Sequence, residues 1–486
     1  MNAVVGFLTE LGYWVAAALS LLLAAVASGH AILYKRDSRA AIGWVGLIWL
    51  APVAGAVLYA LLGVNRIRRQ ATSVRSQAPR VSGVYAVALA ADHILEPGLH
   101  PDHRHLLTLA RAIDRITRRP LTGGNAVTPL VNGEAAYPAM LAAIASAERS
   151  VAFSTYIFDR DVAGMLFVNA FADAVRRGVE VRVLIDGVGA RYSWPPVIRA
   201  LRDRGVPTAR FMPTLAPWRA PFWNLRTHRK LLIVDGTVGF TGGMNIRYGH
   251  LVEQRPARPV QDLHFRLTGP VVRHLTETFA EDWAFTSHEL LGGPLWYPTL
   301  SPTGVVAARG LTDGPDEDFE KLRWTTLGAI ASARRSIHIV TPYFLPDAAI
   351  IMALSVAALR GVAVEVLLPG RSNLPVVQWA TMATLWQVVK SDCRVYFQPP
   401  PFDHTKLMIV DGIWTRFGSS NWDPRSMRLN FELDVECYDS NLGADMEALF
   451  AAKREASRPV TGAELDGRPL AVRLRDGIAR LASPYL

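Results

Sequence analysis

The sequence predicts an α/β protein with two similar lobes facing each other across a pseudo-two-fold axis, preceded by an N-terminal transmembrane helical hairpin. Three observations lead to this prediction. A short motif occurs twice with identical spacing, a repeated order of helices and strands surrounds it, and two long apolar segments open the chain. At 486 residues the chain can hold two or three domains of ordinary size.

The two apolar segments are 13–34 and 40–62. Each is long enough to cross a bilayer as a helix, which takes about 20 residues. A cleaved signal peptide is the alternative for the first segment, but no Lys or Arg precedes Lys35, whereas such a peptide starts with basic residues. The second segment contains Pro52 and could therefore kink or re-enter the membrane. Two spans remain the prediction.

The basic residues beside these segments predict the orientation. The connector 35–39 carries three of them, and the stretch 66–80 carries five arginines. The more basic side is expected to be cytoplasmic, which places the large C-terminal region of a multi-pass protein there. The net charge of +10 suits work beside anionic lipid headgroups, although nucleic acid would attract it by the same physics.

A repeat of helices and strands fills most of the remaining chain. The first unit reads as a helix 137–147, a strand 150–158, a helix 164–177 and a β-branched strand 179–185. The second reads as a helix 322–333, a strand 336–344, a helix 348–359 and a strand 362–368. Strands that alternate with helices of this length predict α/β layers with largely parallel strands.

These patterns predict five domains and linkers along the chain. They are two transmembrane helices (1–65), a basic juxtamembrane linker with a helix near 105–118 (66–124), a first lobe (125–290), an inter-lobe linker (291–320), and a second lobe with a C-terminal tail (321–486).

The repeated motif reads His-x-Lys-(x)4-Asp. Its candidate catalytic residues are His228, Lys230 and Asp235 in the first copy, and His404, Lys406 and Asp411 in the second. An asparagine follows each histidine by seventeen residues, at Asn245 and Asn421. Two copies with the same spacing imply a duplicated half-site. Paired His and Lys without metal-ligand spacing predict phosphoryl chemistry with no metal and no cofactor.

Strand geometry assigns provisional roles within each copy. Residues i and i+2 share one face of a strand, so the His and Lys of each copy point the same way. Asp-Gly after an apolar run predicts a two-residue hairpin, in which the Asp bonds backbone amides and is structural. In that register Gly243 and Ser419 lie beside the histidines, leaving room for a phosphate and offering backbone donors. Asn245 and Asn421 would add amide donors.

A nucleophilic histidine is usually oriented by a carboxylate at its other nitrogen. Asp262 and Glu432 lie on apolar-alternating strands downstream of the two motifs. We predict that Asp262 supports His228 and that Glu432 supports His404. Ordinary surface carboxylates are the alternative.

The motifs resemble those of the phospholipase D superfamily, and within it the bacterial cardiolipin synthases. The stretches that carry the resemblance, beside the two motifs, are Gly242-Gly243-Met244-Asn245, Thr341-Pro342-Tyr343-Phe344-Leu345-Pro346-Asp347, Asn421-Trp422-Asp423-Pro424-Arg425-Ser426 and Asn430-Phe431-Glu432. The resemblance implies an enzyme of the bacterial inner membrane that uses phosphatidylglycerol, with no nucleic acid partner. It also implies that the lysines and asparagines hold the phosphate oxygens.

The resemblance further implies a double displacement without metal. His228 would attack the phosphorus of one phosphatidylglycerol, and His404 would protonate the departing glycerol. A second phosphatidylglycerol would then attack the phosphatidyl-histidine to give cardiolipin. The residues themselves do not distinguish which histidine is the nucleophile. A hydrolase that releases phosphatidic acid and a nuclease stay open as alternatives, and the paired apolar segments argue against the nuclease.

Two further apolar stretches suit a lipid substrate. They are 216–224, just before the first motif, and 374–389 in the second lobe. Both could dip into the membrane and guide acyl chains, or they could be buried core.

Overall fold

The computed structural model describes residues 2–35, 38–63, 94–95, 100–212, 225–315 and 318–483. The chain divides into two compact units, 1–70 and 71–486. The aromatic stretch 216–224 and most of the predicted juxtamembrane linker lie outside the described residues.

The N-terminal unit is helical. It contains α1 (Asn2–Tyr34), α2 (Ser38–Leu50) and α3 (Pro52–Leu58), followed by a π-helical turn at Tyr59–Gly63. Among the described residues, the portion Glu10–Tyr34 is long and apolar enough to cross a membrane. The second predicted span is divided at Ala51, because Pro52 has no N–H with which to continue α2. Both short helices pack against α1.

The larger unit alternates helices and strands. Its helices are α4 (Leu106–Thr117), α5 (Asn132–Ala145), α6 (Val162–Arg176), α7 (Val197–Arg202), α8 (Val272–Ser287), α9 (Lys321–Ser332), α10 (Ala348–Leu359), α11 (Pro375–Met382), α12 (Trp386–Val389), α13 (Ser440–Glu455), α14 (Gly462–Asp466) and α15 (Leu470–Leu481). The predicted α/β class is confirmed.

The strands of this unit number eighteen among the described residues. They are β1 (Thr122–Val131), β2 (Ser150–Thr155), β3 (Glu180–Asp186), β4 (Thr208–Phe211), β5 (Arg226–Thr227), β6 (Leu231–Val234), β7 (Val238–Gly242), β8 (Val260–Gln261), β9 (Leu263–Thr268), β10 (Val306–Asp313), β11 (Ser336–Val340), β12 (Ala363–Pro369), β13 (Arg394–Gln398), β14 (Phe402–Asp403), β15 (Leu407–Val410), β16 (Trp414–Gly418), β17 (Asn430–Tyr438) and β18 (Arg458–Pro459).

Most strands join one sheet in the order β18-β13-β12-β11-β15-β16-β17-β10-β1-β9-β7-β6-β2-β3-β4. From the central β1–β10 pair outward, the two sides of the sheet repeat the same order of antiparallel and parallel strands. Each side has three parallel strands, β2-β3-β4 or β11-β12-β13, next to an antiparallel hairpin. Val, Leu and Ile occupy most of the buried positions of β3 and β12, which suits strands buried on both faces.

A shared core joins the two sides of the sheet. One buried cluster takes residues from β6 and β9 together with residues from β15 and β17. At its centre the rings of Phe265 and Phe417 stack with their centroids 3.5 Å apart. The fully buried guanidinium of Arg309 bonds Asp114 of α4 and, at 2.6 Å, Glu436 of β17. These contacts fix the central strands on which the two motif segments lie.

Candidate active site

Each motif forms a β-hairpin, but with a turn longer than predicted. Strands β6 and β7 pair Leu231 with Thr241, and Val234 with Val238, which leaves a three-residue turn. The second hairpin pairs Leu407 with Phe417 in the same way. The predicted two-residue turn is therefore wrong, and the register is shifted by one residue. In both copies the Asp and the Gly of the turn adopt left-handed backbone conformations.

The motif aspartates explain this conformation. The Asp235 carboxylate accepts backbone N–H bonds of 2.8–3.0 Å from residues 148–150. Asp411 does the same with residues 334–336 at 2.7–3.2 Å and also bonds His105 Nε2 at 2.8 Å. At about 3.3 Å per residue, each aspartate lies roughly 20 Å along the chain from its histidine. Both aspartates hold the hairpins in place, and neither bonds the motif histidine of its own copy, His228 or His404.

The histidines pair with carboxylates across the two halves. His228 Nδ1 lies 3.0 Å from Glu432 Oε2, and His404 Nδ1 lies 2.9 Å from Asp262 Oδ2. The predicted pairing of Asp262 with His228 and of Glu432 with His404 is thus wrong. Each histidine is supported by the other half of the molecule.

Strand exchange causes the crossed pairing. The short strand β5, directly before His228, runs parallel to the start of β17. The short strand β14, which leads into His404, runs parallel to β8. The backbone N–H of His228 donates to Phe431 O, and that of His404 donates to Gln261 O. Each motif segment therefore lies against the residues that directly precede the opposite carboxylate.

The hydrogen bonds determine how the imidazoles are protonated. A carboxylate accepts, so Nδ1 of each ring donates and Nε2 keeps its lone pair. Burial lowers the pKa of His228, although Glu432 opposes this. Burial, followed by Lys406, Lys230 and the His228 ring, lowers the pKa of His404 well below its ordinary value. The lowered pKa values favour the neutral form of both rings.

Two buried lysines lie beside the histidines. Lys230 Nζ donates to the carbonyl of His228 and Lys406 Nζ to that of His404, each at 2.6 Å. Burial lowers the pKa of Lys230 to about 7 and that of Lys406 to about 8. Each ammonium has three donors, so two remain for an anion.

The two asparagines differ in their bonding. Asn245 Oδ1 accepts from the backbone N–H of Ile157 at 3.1 Å. This turns the amide NH₂ of Asn245 away from Ile157. Asn421 is equally buried, and its Oδ1 has no hydrogen-bond partner within the described chain. Both amides are thus available as side-chain donors near the motifs.

Gly243 and Ser419 support the carboxylates and do not offer free backbone donors. The N–H of Gly243 bonds Leu263 O, and that of Ser419 bonds Leu433 O. A Cβ at Gly243 would lie 2.3 Å from Asp262 Oδ1, so glycine makes room for that carboxylate. The Ser419 hydroxyl donates to Glu432 at 2.5 Å. The backbone N–H groups predicted to bind a phosphate at these two positions are therefore already bonded within the protein.

Two tyrosines that were not among the predicted site residues lie beside the histidines. The Tyr156 ring lies 5.3 Å from the His228 ring and 5.7 Å from Lys230 Nζ. The Tyr343 ring lies 6.4 Å from the His404 ring. The two tyrosines follow the carboxyl ends of β2 and β11, where the observed strands stop a few residues before their predicted ends. That edge of a parallel sheet commonly carries functional side chains, which is the signal that could have found them.

An aspartate missed by the sequence interpretation positions the first motif. Asp186, at the end of β3, accepts the N–H of Thr227 at 3.0 Å. Burial raises the pKa of Asp186 to about 6. Within the described chain, no group of three His, Cys, Asp or Glu side chains is arranged to hold a metal ion.

The arrangement combines two neutral imidazoles, two ammonium groups and two carboxylates in one buried site. An anionic ester between the rings would meet a nucleophilic nitrogen on one side and a proton-transfer group on the other. The lysines would face the charge that develops on its oxygens, which is the main requirement for phosphoryl transfer.

Comparison with known proteins agrees with this chemistry. The family described as "Cardiolipin synthase, PLD-like domain" matches residues 140–283 and 327–454, two stretches that include both motifs. Cardiolipin synthase A of Pseudomonas putida is 33% identical over 466 residues, which are 96% of each chain. The chain belongs to the cardiolipin synthase family of phospholipase D-like proteins.

One further relative and one solved structure are also similar to this chain. Cardiolipin synthase A of Pseudomonas fluorescens is 32% identical over 469 residues, 96% of each chain. The crystal structure of phosphatidylserine synthase from Haemophilus influenzae matches 78% of this chain and all of that chain, with a TM-score of 0.60 and 15% identity. This second similarity concerns the fold alone.

Proposed function

We propose that the protein is a membrane-bound phosphatidyltransferase that converts two phosphatidylglycerol molecules into cardiolipin and glycerol. The observation that carries the proposal is the crossed arrangement, in which His228–Glu432 and His404–Asp262 face one site. The cardiolipin synthases of Pseudomonas at about one-third identity over nearly the whole chain support the same product.

In the first half-reaction, His228 Nε2 attacks the phosphorus of one phosphatidylglycerol. The bond from phosphorus to the glycerol oxygen breaks, and the departing alkoxide takes a proton from His404 Nε2. Glu432 accepts from Nδ1 of His228 and stabilises the charge that forms on this ring. Although burial opposes it, His228 and Lys230 keep the pKa of Glu432 below its ordinary value, so the carboxylate is ionised for this role.

In the second half-reaction, His404 Nε2 takes the proton of the terminal hydroxyl of a second phosphatidylglycerol. That oxygen attacks phosphorus, the phosphorus–nitrogen bond to His228 breaks, and cardiolipin leaves. Lys230, Lys406 and the amides of Asn245 and Asn421 would hold the non-bridging oxygens in both steps. His404 takes up a proton at Nε2 when the anionic substrate binds beside it, gives this proton to the departing glycerol oxygen, and recovers a proton from the second phosphatidylglycerol.

The membrane arrangement is part of the proposal. The helix at Glu10–Tyr34 would cross the bilayer, and α2 with α3 would return as the second arm of a hairpin. The basic residues after this hairpin would place the catalytic region on the cytoplasmic side of the inner membrane. The catalytic region would consist of two pseudo-symmetric lobes, 125–290 and 321–486.

Incubation of the purified protein with phosphatidylglycerol as the sole lipid tests the proposal. Mass spectrometry should find cardiolipin and glycerol in equal amounts, because each transfer releases one glycerol. Phosphatidic acid in place of cardiolipin would show that water takes the acceptor position and that the enzyme is a hydrolase. Parallel incubation with DNA tests the nuclease alternative, for which strand cleavage is the diagnostic result.

The lysine pKa values predict an alkaline limit to activity. Only the ammonium form attracts a phosphodiester, so kcat/KM should fall as the pH rises above about 8, once both lysines lose their protons. Lys406→Arg keeps its charge at these pH values and should move the fall upward, at a lower maximal rate. Initial rates from pH 6 to 10 measure this, and the same fall in both proteins would exclude Lys406 as its cause.

A further inference from the structure

The last long helix, α15, exposes apolar residues and buries a charged one. Four of its large apolar side chains are 58–77% exposed, and they are Leu470, Leu474, Ile478 and Leu481. Spacings of four, four and three place them on one face of the helix. Asp476, by contrast, is 1% exposed. A helix on a water-facing surface normally has the opposite arrangement.

Specific contacts fix this orientation. Asp476 accepts from the guanidinium groups of Arg468 and Arg475, at 2.6 and 2.7 Å. Arg468 also donates to the carbonyl of Met382 at the end of α11, and Arg475 lies over the Trp379 ring at 4.6 Å. A rotation of α15 about its axis that buried its exposed apolar side chains would break these bonds and expose Asp476. The apolar face is therefore held outward.

Arginines border the exposed face on both sides. At about 100° per residue, the four apolar side chains fall within roughly 80° of the helix circumference. Arg473 and Arg480 lie along one border and Arg475 along the other, and all three are exposed. An apolar stripe with basic borders is the pattern of a helix that lies in a membrane interface, where arginine side chains reach anionic headgroups.

The inner face of α15 is linked to the active site. Ala479 packs with Val377 and Ala380 of α11 in one small cluster, against which Tyr343 also packs. The Tyr343 ring is in turn 6.4 Å from the His404 ring. Helix α11 belongs to the stretch 374–389, which was predicted to be either core or a guide for acyl chains. It packs between α15 and the Tyr343 side of the site.

We infer that the face formed by Leu470, Leu474, Ile478 and Leu481 docks the catalytic unit onto an anionic phospholipid bilayer. The fixed outward leucines require an apolar partner, and the arginine borders match the negative headgroups. This inference rests on the proposed function in one respect, because a lipid-transferring site must receive its substrate from such a surface. A second copy of the chain would not match the basic borders.

A depth probe tests docking independently of activity. Cys393 and Cys437 are buried, so a single Ile478→Cys substitution takes a fluorescent label in the full-length protein. In vesicles of phosphatidylglycerol and phosphatidylcholine, lipids brominated on their acyl chains should quench this label. The matched control is Met352→Cys on α10, 64% exposed, whose helix contains no Lys or Arg. An unquenched label at position 478 would overturn the inference.

Activity gives the second readout. Leu474→Glu with Ile478→Glu should reduce cardiolipin formation from vesicles by about tenfold or more, since two apolar contacts with the bilayer are lost. The same variant should keep its rate on a short-chain phosphatidylglycerol dissolved below its micelle concentration. Leu474→Ile with Ile478→Leu, which retains the apolar face, should behave like the wild type, and so should Met352→Gln with Val356→Gln. Equal loss on both substrates would indicate damage to the fold and count against docking.

The outcomes separate this inference from the proposed function. Quenching of the label without any cardiolipin product leaves docking intact and rejects the transferase. Product without quenching rejects docking and leaves the transferase intact. Energy transfer between labelled copies, with no quenching by lipid, identifies a second copy as the occupant and rejects the bilayer.

Discussion

His228→Ala and His404→Ala should each reduce cardiolipin formation by about a thousandfold or more, because the reaction needs one imidazole on each side of the phosphorus. Neither ring can replace the other, since each Nδ1 is fixed by its own carboxylate. Conversion of labelled phosphatidylglycerol by purified variants in matched vesicles measures the loss.

The chain provides a matched control for the histidine variants. His338 on β11 also bonds a carboxylate through Nδ1, at 2.5 Å from Glu447, but it lies outside the site. His338→Ala should therefore keep nearly full activity. If either His228→Ala or His404→Ala retained substantial activity, the mechanism with one histidine from each half would be abandoned.

The second large effect concerns the crossed carboxylates. Glu432→Gln and Asp262→Asn should each slow the overall reaction by roughly a hundredfold to ten-thousandfold, because an amide can hold the imidazole in the wrong tautomer. The two variants should fail at different steps. Glu432→Gln weakens the nucleophile His228 and should slow formation of the phosphatidyl-enzyme. Asp262→Asn weakens His404, which acts in both steps, and should therefore also slow the breakdown of the phosphatidyl-enzyme.

Mass spectrometry of acid-quenched protein distinguishes these steps. The phosphatidyl adduct on His228 should accumulate in Asp262→Asn and stay low in Glu432→Gln. Glu447→Gln, which alters the equivalent pair at His338, should change neither quantity. Accumulation in Glu432→Gln with none in Asp262→Asn would reverse the assigned roles and make His404 the nucleophile.

Much of the fold could be predicted from local sequence patterns. The helices and strands of the repeat follow from apolar periodicity and from the β-branched runs, and the observed elements lie within a few residues of the predicted ones. The strand ends were less accurate, because residues 156–158 and 342–344 leave the sheet to enter the site. Their apolar alternation continues while their hydrogen-bond partners change, so the pattern alone does not mark the end.

The hairpin turns show how a distant contact overrides a local preference. Asp-Gly alone favours a two-residue turn. Here the carboxylate of Asp235 accepts three backbone N–H groups from residues 148–150, more than eighty positions earlier in the chain. Those bonds hold Asp235, whose backbone is left-handed, and the turn between the paired residues Val234 and Val238 is one residue longer than predicted. The shift moves Gly243 from a predicted phosphate cradle to a position against Asp262.

The sequence by itself indicated the groups that we propose to react, because two histidines and two lysines at identical spacing have few other uses. It could not determine which carboxylate orients which histidine. That assignment depends on β5 joining β17 and on β14 joining β8, which are contacts between residues some 140 to 200 positions apart. Local patterns specify which residues share a face of one strand. Only the packing of the two halves decides which other strand lies beside each motif segment.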